Sequence, residues 1–217
     1  QMLGSLAHEM KTPMTSIMGY ADSLLHVNLR EEQRARALSH IHEECGRLGR
    51  LGSKLMSLLG MYDNDSIQME EVALQEVFDR VVRAEEAHLR EKGVTLRQSC
   101  EMGVRRMDRD LFESLLINLI DNGIKASREG GVIELSASGE QITVQDHGCG
   151  IPEQEIARVT EAFYMVDKAR SRREGGSGLG LALCERIAWL HEAKLRIESV
   201  VGEGTTVRIV FYKTFTS

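Results

Sequence analysis

Apolar side chains in the first sixty residues recur at alternating steps of three and four. Leu3, Leu6, Met10, Pro13, Ile17, Tyr20 and Leu24 form one such seam, and the spacing predicts an amphipathic helix. The seam stops at Val27-Asn28-Leu29-Arg30, where Asn28 followed by Glu31 three residues later reads as an N-cap with a capping box. A second seam then runs through Leu38, Ile41, Cys45, Leu48, Gly52, Leu55 and Leu59. Two such helices on a short connection make an antiparallel hairpin. A lone hairpin cannot bury both seams, so a homodimer through residues 1–62, a four-helix bundle, is the natural completion. On periodicity alone, a plain helical oligomerisation stalk fits equally well.

The period fails over the polar stretch 61–66, which places a hinge at 63–66 and opens a second domain over 67–217. There the pattern switches between periods. Helices are expected at 74–91, 108–122 and 179–191. Strands are expected at 94–99, 132–138, 141–146, 194–199 and 205–212, with a tight hairpin across Gly139-Glu140. This is an α/β sandwich, a sheet covered by helices on one face, and the whole chain is α+β.

Composition narrows the functional classes. The 217 residues carry a net charge of −6, which argues against a general nucleic-acid or membrane-surface binder. Cys45, Cys100, Cys149 and Cys184 show no C-x-x-C spacing, so a disulfide framework or zinc site is not expected and a reducing compartment is. No run of about 20 apolar residues is present, and the N-terminus lacks a signal-peptide pattern.

The candidate chemistry begins at Ser5-Leu6-Ala7-His8-Glu9-Met10-Lys11-Thr12-Pro13. With Leu3, Leu6 and Met10 facing inward, His8 falls on the solvent side of the heptad. Its imidazole is largely neutral near pH 7 and so available as a nucleophile. Glu9 can accept the proton released on attack, and Thr12 lies one turn beyond His8, where its hydroxyl can orient a water. An isolated histidine on a helix is usually just solvated. This string, however, resembles the H-box of sensor histidine kinases.

The helix that begins at 108, read through the stretch 115–126, carries Asn118, Asn122 and Lys125 along one edge of its apolar face, at steps of four and three. Carboxamide oxygens suit Mg²⁺, and Lys125 offers charge to a phosphate. That spacing is similar to the N-box of the same family. Further on, Asp146-His147-Gly148-Cys149-Gly150 resembles its first glycine box, and Phe163-Tyr164 with the charged stretch 165–177 resembles its F-box and lid. Gly176-Ser177-Gly178-Leu179-Gly180 opens a helix, where backbone N–H groups form a phosphate cradle. Gly202-Glu203-Gly204-Thr205 resembles the last glycine box.

These boxes, in this order and over roughly residues 5–211, identify the chain as a member of the sensor histidine kinases. The resemblance implies an ATP-binding domain of the gyrase, chaperone and histidine-kinase type, with ATP and Mg²⁺ as cofactors. Asp146 would take the adenine amino group, Thr205 would support that end, and Asn122 with Asn118 would hold the metal. It implies autophosphorylation on His8, transfer to an aspartate of a response-regulator receiver domain, and phosphatase activity aided by Thr12. It also implies the cytoplasmic portion of a sensor anchored in the inner or plasma membrane, its input segment lying ahead of His8. No direct nucleic-acid contact and no membrane segment are expected. Two departures stand out. Gly123 occupies a usual alanine position, which loosens the helix by ~1 kcal/mol. Met165 replaces a basic residue, although Lys168, Arg170, Arg172 and Arg173 are close by. Two other classes compete. A gyrase-like ATPase needs a glutamate base where Asn118 stands, and a catalytically weak nucleotide-gated scaffold would bind ATP without becoming phosphorylated.

Overall fold

The computed structural model describes residues 2–60, 67–167 and 176–212. Two long helices, α1 (Met2–His26) and α2 (Glu31–Gly60), form the hairpin. Leu6, Ile17, Tyr20 and Leu24 are half-buried in it and Pro13 is buried. The Tyr20 ring stacks on His40 across the two helices, 4.9 Å between centroids.

Of the second seam, Ile41, Leu48 and Leu55 are half-buried in the single chain. Among the described side chains of α2, Ala37 and Leu51 are the buried ones, while the seam positions Leu38, Cys45 and Gly52 are exposed. The helix turns inward the face that meets both α1 and the second domain, so small Ala37 sits inside and the larger Leu38 outside. The cap shifts as well. Helix α2 starts at Glu31, the Arg30 carbonyl accepts the Arg34 N–H (2.9 Å), and Gln33 Oε1 takes the Arg30 N–H (3.1 Å). Gln33 and Arg30 therefore supply the reciprocal bond expected of Glu31 and Asn28, two residues later.

In the sandwich, β1 (Glu70–Ala73) leads directly into α3 (Leu74–Lys92) and β2 (Thr95–Cys100). Next come β3 (Val104–Met107), α4 (Arg109–Ala126), and the hairpin β4 (Val132–Ser138) with β5 (Gln141–Asp146). A single turn, α5 (Glu153–Ile156), precedes α6 (Gly180–Leu190), β6 (Ala193–Val200) and β7 (Gly204–Phe211). The main sheet has the order β2-β4-β5-β7-β6, parallel between β2 and β4 and antiparallel elsewhere. Strands β1 and β3 pair separately, Glu70 opposite Met107. This ribbon and α5 were not expected from the sequence, because four-residue elements leave too short a period to read.

Alternate residues of β4, β5 and β7 are buried, as a sheet covered on one face requires. Helices α3, α4 and α6 supply the cover, and Phe78, Phe112, Leu115, Leu116 and Ile120 are fully buried between the layers. Asp108 caps α4, accepting the Leu111 N–H (3.1 Å). Its own N–H donates to His191 Nε2 at 2.9 Å, and His191 Nδ1 donates to the Ile187 carbonyl at 2.7 Å. This bridge ties the start of α4 to the end of α6, and so fixes the two helices that border the candidate site. All four cysteines are free.

Candidate active site

A cavity of about 290 Å³ opens between α4, the C-terminal ends of β5 and β6, the start of β7 and the start of α6. Its apolar floor comes from Leu119, Val144, Ile197 and Val207. Of the residues expected at a nucleotide site, Asn122, Lys125, Asp146, Gly150, Tyr164, Gly176, Gly178, Gly180 and Thr205 line it. The other four support it from behind. Asn118 is buried beside it, and Gly148 packs against Ala126 beneath it. Phe163 and Leu179 belong to the core, Phe163 holding a left-handed backbone (φ 67°) while its N–H bonds the Gly178 carbonyl at 2.7 Å.

Asp146 ends β5 with only 8% of its surface exposed. Burial, the dominant influence, pushes its carboxyl above the usual carboxylate range, against backbone N–H groups of Gly148 (2.9 Å) and Thr205 that favour the ionised form. Around it the backbone is close-packed: a Cβ at Gly204 (φ +126°) would lie 2.0 Å from the Asp146 carbonyl oxygen, so only glycine fits. Ser199 organises the neighbouring corner. Its Oγ accepts the Ile151 N–H (2.8 Å) and donates to the Gly204 carbonyl (2.8 Å). With its one proton committed, the 2.8 Å contact to Thr205 Oγ1 must be donated by Thr205, which leaves the Thr205 oxygen an acceptor.

At the opposite end, the Asn118 carboxamide is oriented by its own Nδ2, which donates to the Ser114 carbonyl at 2.7 Å. Its Oδ1 thereby faces the start of α6, where a Cβ on Gly180 would stand 3.3 Å from it and 3.9 Å from Asn122 Nδ2. Lys125 pairs with Asp121 (2.6 Å), which also lies 3.8 Å from His88 Nδ1. His88 in turn contacts the buried Glu85 at 3.3 Å, whose carboxyl is raised chiefly by burial. Met165 is buried in the cavity wall. A Cβ at Gly123 would meet Ile133 Cδ1 at 3.1 Å, so glycine lets α4 approach the sheet just below Asp146.

Sequence reasoning missed Asp121, Ser199 and Lys54. Asp121 carried a readable signal, its i,i+4 spacing to Lys125. Ser199 meets Thr205 only through the β6–β7 register, and Lys54 reaches the site from α2. The side chains of His8 and Glu9 lie outside the described residues, as do Lys168, Arg170, Arg172, Arg173 and the hinge at 63–66. Thr12 is exposed on α1.

Among the described residues no group of three or more His, Cys, Asp or Glu is placed to hold a metal, and no helix is long and apolar enough to cross a membrane. Carboxamides on successive turns of α4 offer oxygens of the hard type that a cation such as Mg²⁺ takes as ligands.

Residues 1–58 match the profile of the His Kinase A (phospho-acceptor) domain, and 107–214 that of the Histidine kinase-, DNA gyrase B-, and HSP90-like ATPase. The chain is 30% identical over 216 residues to the sensor histidine kinase YkoH of Bacillus subtilis, covering 97% of this chain and 47% of that protein. It is 30% identical over 222 residues to WalK of the same organism, covering 95% and 35%. The chain thus spans half or less of these relatives. The structure of histidine kinase ThkA in complex with response regulator TrrA superposes with a TM-score of 0.79 at 22% identity, over 98% of this chain and 61% of that one. Acinetobacter baumannii AdeS superposes with 0.72 at 20% identity, over 95% and 98%. At such identities the likeness concerns the fold. With a phospho-acceptor hairpin and a gyrase-like ATPase sandwich in this order, the chain belongs to the sensor histidine kinases of two-component systems.

Proposed function

We propose that this chain moves the γ-phosphoryl group of ATP to His8 and from there to an aspartate on a response-regulator receiver domain. The observation that carries the proposal is one cavity with a buried carboxylate, Asp146, at one end and Asn122, Lys125 and the glycines of 176–180 at the other. That polarity suits adenine at the Asp146 end and a polyphosphate at the start of α6, whose N-terminal N–H groups favour anions.

Adenine lies on the apolar floor with its amino group donating to Asp146, and the Thr205 hydroxyl oxygen supports the same edge. Lys125 and the backbone of 176–180 face the phosphates. Asn122 and Asn118 would hold Mg²⁺, which supplies charge neutralisation on the phosphates when bound. A His8 ring nitrogen attacks the γ-phosphorus, the bond to the β–γ bridging oxygen breaks, ADP leaves, and the imidazole proton passes to Glu9. Positioning and charge supply most of the rate, because the transition state is loose. In a phosphatase activity toward the regulator, Thr12 orients the water that hydrolyses the aspartyl phosphate to carboxylate and inorganic phosphate.

The hairpin works as a homodimer. Met10, Met14, Met18 and Leu25 on α1 are 41–75% exposed, and Leu38 and Met56 on α2 are 53% and 69% exposed, an apolar surface for a second copy. The crystal structure of histidine kinase ThkA in complex with response regulator TrrA supports a response regulator as the partner here.

The test is incubation with Mg²⁺ and γ-labelled ATP, for the parent and His8→Ala side by side. The expected label is acid-labile, base-stable and absent from His8→Ala. Label that survives the substitution, or steady phosphate release independent of His8, refutes the assignment.

A further inference from the structure

One cation in the nucleotide cavity does not come from the sandwich. Helix α2 packs against α6, with Leu51 (6% exposed) and Leu55 joining the sandwich core, and this docking carries Lys54 to the phosphate end of the cavity. Its ammonium donates to Asn118 Oδ1 at 2.8 Å. The position a Gly180 Cβ would take is 3.9 Å from Lys54 Nζ, 3.3 Å from Asn118 Oδ1 and 3.9 Å from Asn122 Nδ2. Polar groups from the hairpin and from α4 therefore converge at the start of α6.

The surroundings of that point are basic. Arg47, Arg50 and Lys54 follow each other at steps of three and four, one stripe of α2. All three line a second cleft of about 270 Å³ that also contains Pro13 of α1 and shares Lys125 with the nucleotide cavity. Asp121 is the single carboxylate in its lining, and it already pairs with Lys125. Among the described residues neither Arg50 nor Lys54 is ion-paired. A seam between two domains with this excess of positive charge is suited to an anion, and it lies beside the end of the cavity where the polyphosphate is expected.

We propose that Lys54 is a phosphate-binding residue of the nucleotide site, contributed by the phospho-acceptor hairpin. The proposal rests on the nucleotide reading of the cavity given above. On ATP binding, the ammonium exchanges the neutral Asn118 oxygen for phosphate oxygens, a stronger charge-assisted bond. Because the residue belongs to α2, the polyphosphate bridges the two domains. By linkage, ATP then favours the docked hairpin and the docked hairpin favours ATP to the same degree. Adenosine monophosphate, with its one phosphate near the adenine end, gains nothing from Lys54.

The experiment is a calorimetric binding series on the full chain, using ATP, ADP and AMP with EDTA and again with Mg²⁺. It compares the parent, Lys54→Met, which keeps the aliphatic stem, and Lys54→Arg. Lys54→Met is expected to weaken ATP binding about tenfold and leave AMP binding unchanged, the value of one charged hydrogen bond. Lys54→Arg is expected to restore most of the loss. Equal loss for ATP and AMP would make Lys54 a packing residue and overturn the proposal. Unchanged ATP affinity would overturn it too. Tighter ATP binding by Lys54→Met in Mg²⁺ would also do so, since Lys54 would then be competing for Asn118. A parent chain that binds ATP no better than AMP fails the nucleotide reading itself, a result distinct from the failure of Lys54 alone.

Discussion

Replacing His191 by phenylalanine tests how the site-bearing helices are held. The ring is 6% exposed and meets Phe112 edge-on, 5.3 Å between centroids, a contact that phenylalanine preserves. What disappears is the acceptor for the Asp108 N–H and the donor to the Ile187 carbonyl. The Ile187 oxygen keeps the His191 backbone N–H at 3.1 Å, so it is not orphaned. The Asp108 N–H is. A buried, unpaired N–H costs about 1–3 kcal/mol and the lost neutral bond about 1, giving a destabilisation of about 2–4 kcal/mol near neutral pH.

A pH signature accompanies it. Burial is the main influence holding the His191 pKa below its ordinary 6.5, and protonation would set a new N–H against the Asp108 N–H. The folded state therefore binds fewer protons than the unfolded chain. The stability His191 contributes is complete above about pH 6.5 and is lost as the pH falls from there through the folded value. The parent should lose up to about 1.4 kcal/mol per pH unit in that window relative to His191→Phe, so the gap between the two narrows in acid. Urea unfolding followed by Trp189, the one tryptophan and two residues away, at pH 7.5 and 5.5 measures both effects. Equal midpoints at pH 7.5, or a gap that does not change with pH, would refute the reasoning.

Two further predictions concern the nucleotide end. Gly204→Ala places a Cβ 2.0 Å from the Asp146 carbonyl oxygen at a φ of +126°, and should cost about 3–5 kcal/mol, read as a collapse of the melting temperature. A variant that melts with the parent would mean that the corner relaxes freely. Asp146→Asn should weaken ATP binding about tenfold and erode the preference for ATP over GTP, since the amide presents a donor where adenine brings one. Competition binding with both nucleotides checks this, and an intact preference would remove Asp146 from base recognition.

Much of this molecule is written locally. The polar edge of α4 needs only the helical repeat to align Asn118, Asn122 and Lys125, and β4 and β5 pair across Gly139-Glu140 because a two-residue turn lays them side by side. The glycines of 176–180 announce close backbone approach wherever they fall. The face that α2 buries is different. Periodicity records that a stripe is apolar but not which neighbour will cover it, and the second domain draws Leu51 inward with Lys54 beside it. The parallel β2–β4 pair and the β1–β3 ribbon likewise join segments that no turn connects. Ser199 touches Thr205 only once β6 and β7 are in register, and His191 finds Asp108 83 residues away. Spacing along the chain determined which chemical groups share an element. Which elements bring their groups to one cavity was decided by packing, because contacts between distant segments depend on the shape of the assembled core and leave no period in the sequence.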